Sequence, residues 1–399
     1  MKFIKTEKFN HVSVSIRSIF ALDIHTITTM NLLCIMMKKQ TEKYPDPSLF
    51  ARALADTYGI RIGVGLSAYG KQLVMDIRMN AIESQWIPDP SYEKQALDLF
   101  NQIICHPHFT SASLSQAKMQ LKNRLHTQMD DPNTIALLNA FTSLAPHSIS
   151  IPVQGNINAI DGITLLDIQQ AYEAYLKAEK HVYIVGQPSQ ALYNYLDSLD
   201  SHQTLQSHFE LLDNSSLQIQ SQTRDISQTS LTHVYANHIG VDDPLYYPLL
   251  VMNSLLGQSP NSLLFTNVRE KHSYCYSIYS SIVRFDGALI ISTSFRNQYF
   301  DQVISLIQEQ IKKLQTGQFD VSLLSSAKKD LIDGLISGQD SSFSLIEQAY
   351  LDDLMHRNTQ LKDRISAIDH VTKEEVIQAS SYLHLVARSI VKEEEHEEV

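Results

Sequence analysis

From His11 to Ile19 apolar and polar residues alternate, Val12, Val14 and Ile16 against Ser13, Ser15 and Arg17, which predicts a half-buried strand. Between Asp23 and Lys39 the spacing becomes helical, through Ile24, Ile27, Leu32, Ile35 and Met36. A second helix is expected after Pro47, through Leu49, Phe50, Ala53 and Leu54, ending at Gly59. Residues 60–66 and 73–79 alternate around Tyr69–Gly70 and predict a hairpin. Helices are then expected over 92–105, 113–129, 133–144 and 164–177, followed by a strand over 182–185. Residues 200–228 change character, being rich in Ser, Gln, His and Asp, and read as a connection between a domain at 1–199 and one at 229–399. The elements then begin again, with a strand at 231–239 and helices at 244–256 and 261–271. Strands at 274–283 and 288–294 form a second hairpin around Asp286–Gly287.

The chain also repeats itself. The run from Phe109 through Leu114, Ser115, Ala117, Lys118 and Leu121 aligns without gaps on Phe319, Leu324, Ser325, Ala327, Lys328 and Leu331. The register continues with Leu125 over Leu335 and Asp130 over Asp340. Ile160, Asp161, Ile163 and Thr164 match Ile368, Asp369, Val371 and Thr372 at nearly the same offset. Two matches at one offset imply a tandem duplication of one unit, each copy a mainly antiparallel sheet with helices on one face. The expected class is α+β, built as two similar α/β sandwich domains.

Composition narrows the function. Of 399 residues, 43% are hydrophobic and 19% charged, a globular balance, and the net charge of −11 gives no electrostatic reason to bind nucleic acid. The longest apolar run, Leu32 to Met37, is too short to span a bilayer, and Met1 to Asn10 does not read as a signal peptide. A cytoplasmic location is therefore expected. Cys34, Cys105 and Cys275 lie far apart and form neither a metal-type spacing nor a disulfide framework. His106-Pro107-His108 sits where one helix turns into the next and suits a turn better than a metal. The end from Lys392 to Val399, with His396 among glutamates, reads as a solvated acidic tail.

A duplicated unit opening with strand, apolar helix, Pro-containing helix and hairpin resembles the pitrilysin or mitochondrial-processing-peptidase (inverzincin) metallopeptidases over nearly the whole chain. In active members the first helix carries H-x-x-E-H, which puts two zinc-binding histidines and a general-base glutamate on one helical face. The corresponding stretch is Asn31-Leu32-Leu33-Cys34-Ile35, anchored by Gln40-Thr41 and Tyr44-Pro45. The histidine positions hold Asn31 and Ile35, and the base position holds Cys34. A third ligand, a glutamate from a later helix, is missing too, because no glutamate occurs between Lys94 and Tyr172. The resemblance thus implies no catalytic residue, no metal and no cofactor in this chain. Cys34 has no ligand partner at helical spacing and reads as a core thiol.

The second half keeps more of the pattern. Family members carry Asn-x-x-Leu-Gly-Gly, then Ser-Ser-Arg-Leu-Phe, Arg-Glu-Lys, and a tyrosine seven residues after that arginine. Here the segment reads Asn253-Ser254-Leu255-Leu256-Gly257-Gln258, then Asn261-Ser262-Leu263-Leu264-Phe265, then Arg269-Glu270-Lys271, with Tyr276. The residues alone allow Arg269 to be a helix-end ion-pair residue and Tyr276 a strand residue packing one face. The resemblance implies instead that both bind substrate and hydrogen-bond its carbonyl. It also implies a division of labour, as in the zinc-less member of a paired set in Gram-positive bacteria. This chain would be the non-catalytic subunit of a heterodimeric peptidase, paired with a zinc-bearing homologue and binding a peptide. Gln258 and Leu263 depart from the pattern and favour the alternative, a non-enzymatic scaffold, and a homodimer is a further possibility.

Overall fold

The computed structural model describes residues 1–394; of the expected acidic tail, Lys392 and Glu393 belong to the last strand, and the part with His396 lies outside the described residues. Among the described residues the strands are β1 (Lys2–Ile4), β2 (His11–Ala21), β3 (Arg61–Tyr69), β4 (Gln72–Ile82) and β5 (Lys180–Val185) in the first half. The second half supplies β6 (Gln218–Arg224), β7 (Thr229–Ala236), β8 (Cys275–Val283), β9 (Ala288–Phe295) and β10 (His384–Glu393). Helices of the first half are α1 (Ile27–Met37), α2 (Pro47–Asp56), α3 (Tyr92–Cys105), α4 (Ser111–Gln128), α5 (Pro132–Thr142), α6 (Leu165–Lys177) and α7 (Gln190–Leu199). Those of the second are α8 (Tyr246–Asn253), α9 (Phe300–Gln315), α10 (Val321–Gly338), α11 (Ser342–Leu354), α12 (Leu361–Asp369) and α13 (Lys373–Ser381).

The two sheets have the same plan, with orders β1-β5-β2-β4-β3 and β6-β10-β7-β9-β8. In each, only the first pair is parallel, β1 with β5 and β6 with β10, so both are mixed sheets in which antiparallel pairing dominates. The duplication extends to single bonds. Lys118 Nζ donates to the Asp161 carbonyl at 2.9 Å, and its counterpart Lys328 donates to the Asp369 carbonyl at 2.8 Å. Thr164 with Asp167 and Thr372 with Glu375 form matching capping boxes at the starts of α6 and α13.

Packing does not follow the halves of the chain. One compact unit comprises Met1–Leu125, Pro152–His208 and Gly338–Asn358; the other comprises His126–Ile151, Phe209–Ser337 and Thr359–Val399. The equivalent helices α5 and α11 have exchanged places, each lying on the sheet built by the opposite half. This exchange corrects the expectation that β2 is half-buried: Val12 through Ser18 are all buried. Val14 and Ile16 face the helices of their own half, while Ser13, Ser15 and Arg17 lie under α11. Ser13 Oγ meets Ser342 Oγ at 2.7 Å, and Tyr183 donates to Asp353 at 3.0 Å. Arg17, 1% exposed, bonds Glu347 of α11 at 2.6 Å and lies 4.1 Å from the centre of the Tyr350 ring. An alternating pattern cannot reveal a helix arriving from more than 300 residues away.

In the second unit the face of β7 carrying Val234 and Ala236 packs with Ala140, Leu137 and Phe141 of α5, and Ser294 Oγ donates to Asn133 Oδ1 at 2.7 Å. The other face carries Leu231 and Tyr235 against α8, α9 and α13. The pattern reading missed β1, α7, β6, α9, α11, α12 and β10, and reached α10 and α13 only through the repeat. The expected connection at 200–228 is built into both units, with Leu205 and Leu212 buried and β6 paired to β10. Its Ser/Gln character reflects an edge strand facing water, not a loose chain. The proposed helices at 244–256 and 261–271 are partly π-helical, over Ser254–Gln258 and Phe265–Glu270. No helix of the described residues is long and apolar enough to cross a membrane.

A buried histidine ties acidity to stability in this second unit. His233, fully buried, accepts from Arg388 Nε on Nε2 at 2.9 Å, which leaves its proton on Nδ1 facing Tyr235 Oη at 3.2 Å. Burial, reinforced by the Arg388 charge, lowers its pKa from 6.5 to about 3. The unfolded chain therefore binds this proton between those values while the folded chain does not. Stability from this group is complete above pH 6.5 and falls as the pH drops toward 3, by up to about 1.4 kcal/mol per pH unit. Urea unfolding at a series of pH values should show that slope, and His233→Gln should flatten it; an unchanged slope would remove His233 as its source.

Candidate functional site

The helix that would carry a zinc motif is present and buried. In α1 every residue from Met30 to Met37 is buried, and Asn31, Cys34 and Ile35 share one stretch of it. Asn31 spends both amide protons on carbonyls, of Ile27 at 2.9 Å and Val153 at 2.8 Å. Its Oδ1 accepts from Arg124 Nη2 of α4 at 2.7 Å, and Arg124 also reaches the Gln154 carbonyl at 3.3 Å. Thr28 Oγ1 accepts from Asn156 N, and Gly155 at φ 94° passes close over Thr28 and Asn31. The segment 153–156 is thereby tied down on α1. Burial pushes the Cys34 thiol up to about 12, so it is neutral at neutral pH. Ile35 has no donor atom.

These residues do not fit a divalent metal. An amide with every atom committed, a neutral thiol and an alkyl chain offer no charge to a cation, and the guanidinium beside them opposes one. Among the described residues no three His, Cys, Asp or Glu side chains are grouped to hold a metal. The His106-Pro107-His108 run forms a bridge with Gln40–Glu42: Thr41 pairs with Pro107, Gln40 donates to the His108 carbonyl, and the His106 ring faces Glu42. Writing the motif back as Asn31→His, Cys34→Glu and Ile35→His should therefore not restore zinc. Elemental analysis of the purified triple variant is expected to find no stoichiometric zinc, because the third carboxylate is lacking and Arg124 remains. Tight one-to-one zinc would contradict this.

Arg269 and Tyr276 are brought together at the surface of the second unit, each on an uncommon piece of backbone. The first π-helical segment holds Gly257 against β8, where a Cβ would come within 2.7 Å of Ser280 N; no larger residue fits there. Gln258, in place of the family's second glycine, accepts from Asn253 Nδ2 at 2.8 Å. Leu263, in place of the arginine, is buried in the core. The second π-helical segment carries Arg269, and a turn through Ser273 at φ 52° returns the chain to β8. There the register with β9 slips between Cys275 and Ser277, so Tyr276 is the extra residue of a bulge and stands 79% exposed. The Arg269 guanidinium lies over the Phe265 ring at 4.4 Å and over the Tyr276 ring at 5.8 Å. Tyr276 sits on an edge strand, since among the described residues β8 has β9 as its sole strand neighbour, and Arg269 lies beside it. Next to them His272, Tyr274 and Tyr299 form a stack, with centroid distances of 5.2 and 4.6 Å.

The sequence reading missed Arg124, whose partner Asn31 is 93 residues away, and the stacking by Phe265, which the four-residue spacing from Arg269 does announce. Taken together, the molecule is a duplicated α+β protein, and the helix on which the resemblance places a metal carries an amide–guanidinium network.

Comparison with known proteins agrees. Residues 162–331, which include Arg269 and Tyr276, match the family described as the Peptidase M16 inactive domain. Over 404 aligned positions the chain is 25% identical to "Probable inactive metalloprotease YmfF" of Bacillus subtilis, covering 96% of this chain and 93% of that one. It is 22% identical to the "Uncharacterized zinc protease YmxG" of the same organism, over 70% of each. Among solved structures, a conserved protein from Enterococcus faecalis superposes with a TM-score of 0.88 at 25% identity, covering 99% of this chain and 96% of that one. A peptidase M16 inactive domain from Pseudomonas fluorescens superposes at 0.82 with 20% identity, covering 100% and 96%. The chain is thus similar to the Peptidase M16 inactive domain over residues 162–331 and, over nearly its whole length, to a probable inactive metalloprotease.

Proposed function

We propose that this chain is the non-catalytic, substrate-binding subunit of a heterodimeric zinc peptidase, supplying Arg269 and Tyr276 to a zinc-bearing homologue acting on peptides. The observation that carries the reading is the backbone under the pair. A π-helix and a β-bulge each sacrifice regular hydrogen bonding, and both fall on the two residues that the family resemblance singles out. An ion-pair residue or a packing residue needs neither device. The exposed Tyr276 buries too little area to be there for stability. Arginine and phenol donors can hold a substrate carbonyl and stabilise charge developing on it.

The scaffold reading keeps one specific support. Gln258 is bonded back to Asn253, and Leu263 is core where the family places a glycine and an arginine. Gentle affinity purification from the native organism, with mass spectrometry and zinc analysis, separates the two. A near-stoichiometric partner bearing H-x-x-E-H and zinc supports the split enzyme. A metal-free homodimer, or partners without a peptidase motif, supports the scaffold.

A further inference from the structure

We propose that Arg269 is a carboxylate receptor at the end of edge strand β8, and that its ligand is an extended peptide with a free α-carboxylate. This rests on the substrate-binding reading above and adds the chemical class of the ligand.

The first argument is the state of the guanidinium. Its central carbon lies 4.4 Å from the centre of the Phe265 ring and 5.8 Å from that of Tyr276, so aromatic rings, not acceptors, are the recorded neighbours of its five N–H donors. Arginines 17 and 78 each hold a carboxylate of this chain, and so do lysines 2, 43, 122 and 313. Among the described residues Arg269 has neither an ion pair nor a side-chain hydrogen bond. The adjacent Glu270 is exposed and makes no ion pair with it. Lys271, whose Nζ rests on the neutral Asn267 amide at 2.8 Å, adds positive charge beside it. On a chain of net charge −11, an arginine set against aromatic rings and kept clear of carboxylates is arranged for one from outside. A neutral carbonyl takes one or two of those donors, whereas a carboxylate matches the planar fork bidentately.

The second argument is the edge. One side of β8 has no strand neighbour, and Ser277, Tyr279 and Ser281 are exposed along it. An extended peptide can add there through main-chain hydrogen bonds. The bulge at Tyr276 interrupts such pairing at the N-terminal end of β8. A peptide running antiparallel to β8 would reach its C-terminus at that point, beside Arg269.

The test is fluorescence anisotropy on the full chain, with three labelled versions of one unstructured peptide. They are a free C-terminal acid, a C-terminal amide, and an amide carrying one glutamate near its end. The free acid should bind about tenfold more tightly than the plain amide, and Arg269→Gln should abolish that difference. Arg269→Lys should recover only part of it, since charge remains but the fork is lost. If the glutamate peptide matches the free acid, the receptor takes any carboxylate and the α-carboxylate claim is overturned. If acid and amide bind alike through Arg269, the carboxylate inference fails while the substrate-binding reading stands. If no version binds, alone or with a zinc-bearing partner present, both fail. Unchanged circular dichroism melts for the variants exclude unfolding as the cause.

Discussion

In a reconstituted complex with its zinc-bearing partner, Arg269→Ala or Tyr276→Phe is expected to lower kcat/KM by about 100- to 1,000-fold, the scale of losing one preorganised donor to a developing oxyanion. The isolated chain should show no peptidase activity, since its α1 offers a committed amide, a protonated thiol and an alkyl chain where ligands and base would be. Neither substitution touches the core: Tyr276 is mostly exposed, and Arg269 contacts only rings at the surface. Assembly, zinc content and melting temperature should therefore be unchanged, which separates a substrate role from a structural one. Full activity in both variants would leave the scaffold reading as the better account. Peptide cleavage by the isolated, metal-free chain at an ordinary rate would sink the division of labour altogether.

The largest effect on stability is expected at Arg17. Its guanidinium is fully buried on the sheet face under α11, with Nη2 at 2.6 Å from Glu347 and 3.6 Å from Asp76. Nε donates to Ser15 at 3.2 Å, and Tyr350 covers one face of the group. Burial works against the charge, while Asp76 and Glu347 more than offset it and hold the group protonated. Truncation to alanine removes the buried cation that Glu347 and Asp76 share, leaves Asp76 with Arg78 alone at 2.6 Å, and opens a space between β2 and α11. A loss of about 3–5 kcal/mol follows. Arg17→Met, which fills the space but not the charge, should lose nearly as much, whereas Arg17→Met combined with Asp76→Leu and Glu347→Leu should recover a large part of it. Urea unfolding of the series reads this directly, and a loss below about 1 kcal/mol for Arg17→Ala would show that the network is dispensable. Because Glu347 belongs to the exchanged helix, the same variant should loosen α11 from its sheet, seen as faster hydrogen exchange over Ser342–Leu354.

Some of this was legible in the chain before any coordinates. Local periodicity carried β2, α3, α4 and both hairpins to within a few residues, because their apolar positions repeat at short range. The duplication could be read from Lys118 and Lys328 and from Thr164 and Thr372, residues that turned out to make the same bonds in both copies. The residues at the positions where the resemblance places zinc ligands and base, Asn31, Cys34 and Ile35, are read directly from the chain.

Tertiary structure alone decided the rest. The exchange of α5 and α11 turned polar strand faces into buried ones, and no short-range pattern encodes a partner such as Glu347, 330 residues from Arg17. Arg124 on Asn31, the π-helical turns, and the bulge that exposes Tyr276 all depend on atoms meeting across the fold. Composition and spacing determine which groups the protein owns and which face of its own element each occupies. Which groups meet, and so whether an arginine is a core clasp like Arg17 or an open receptor like Arg269, is set by long-range packing, because charge and burial act over distance in space and not along the chain.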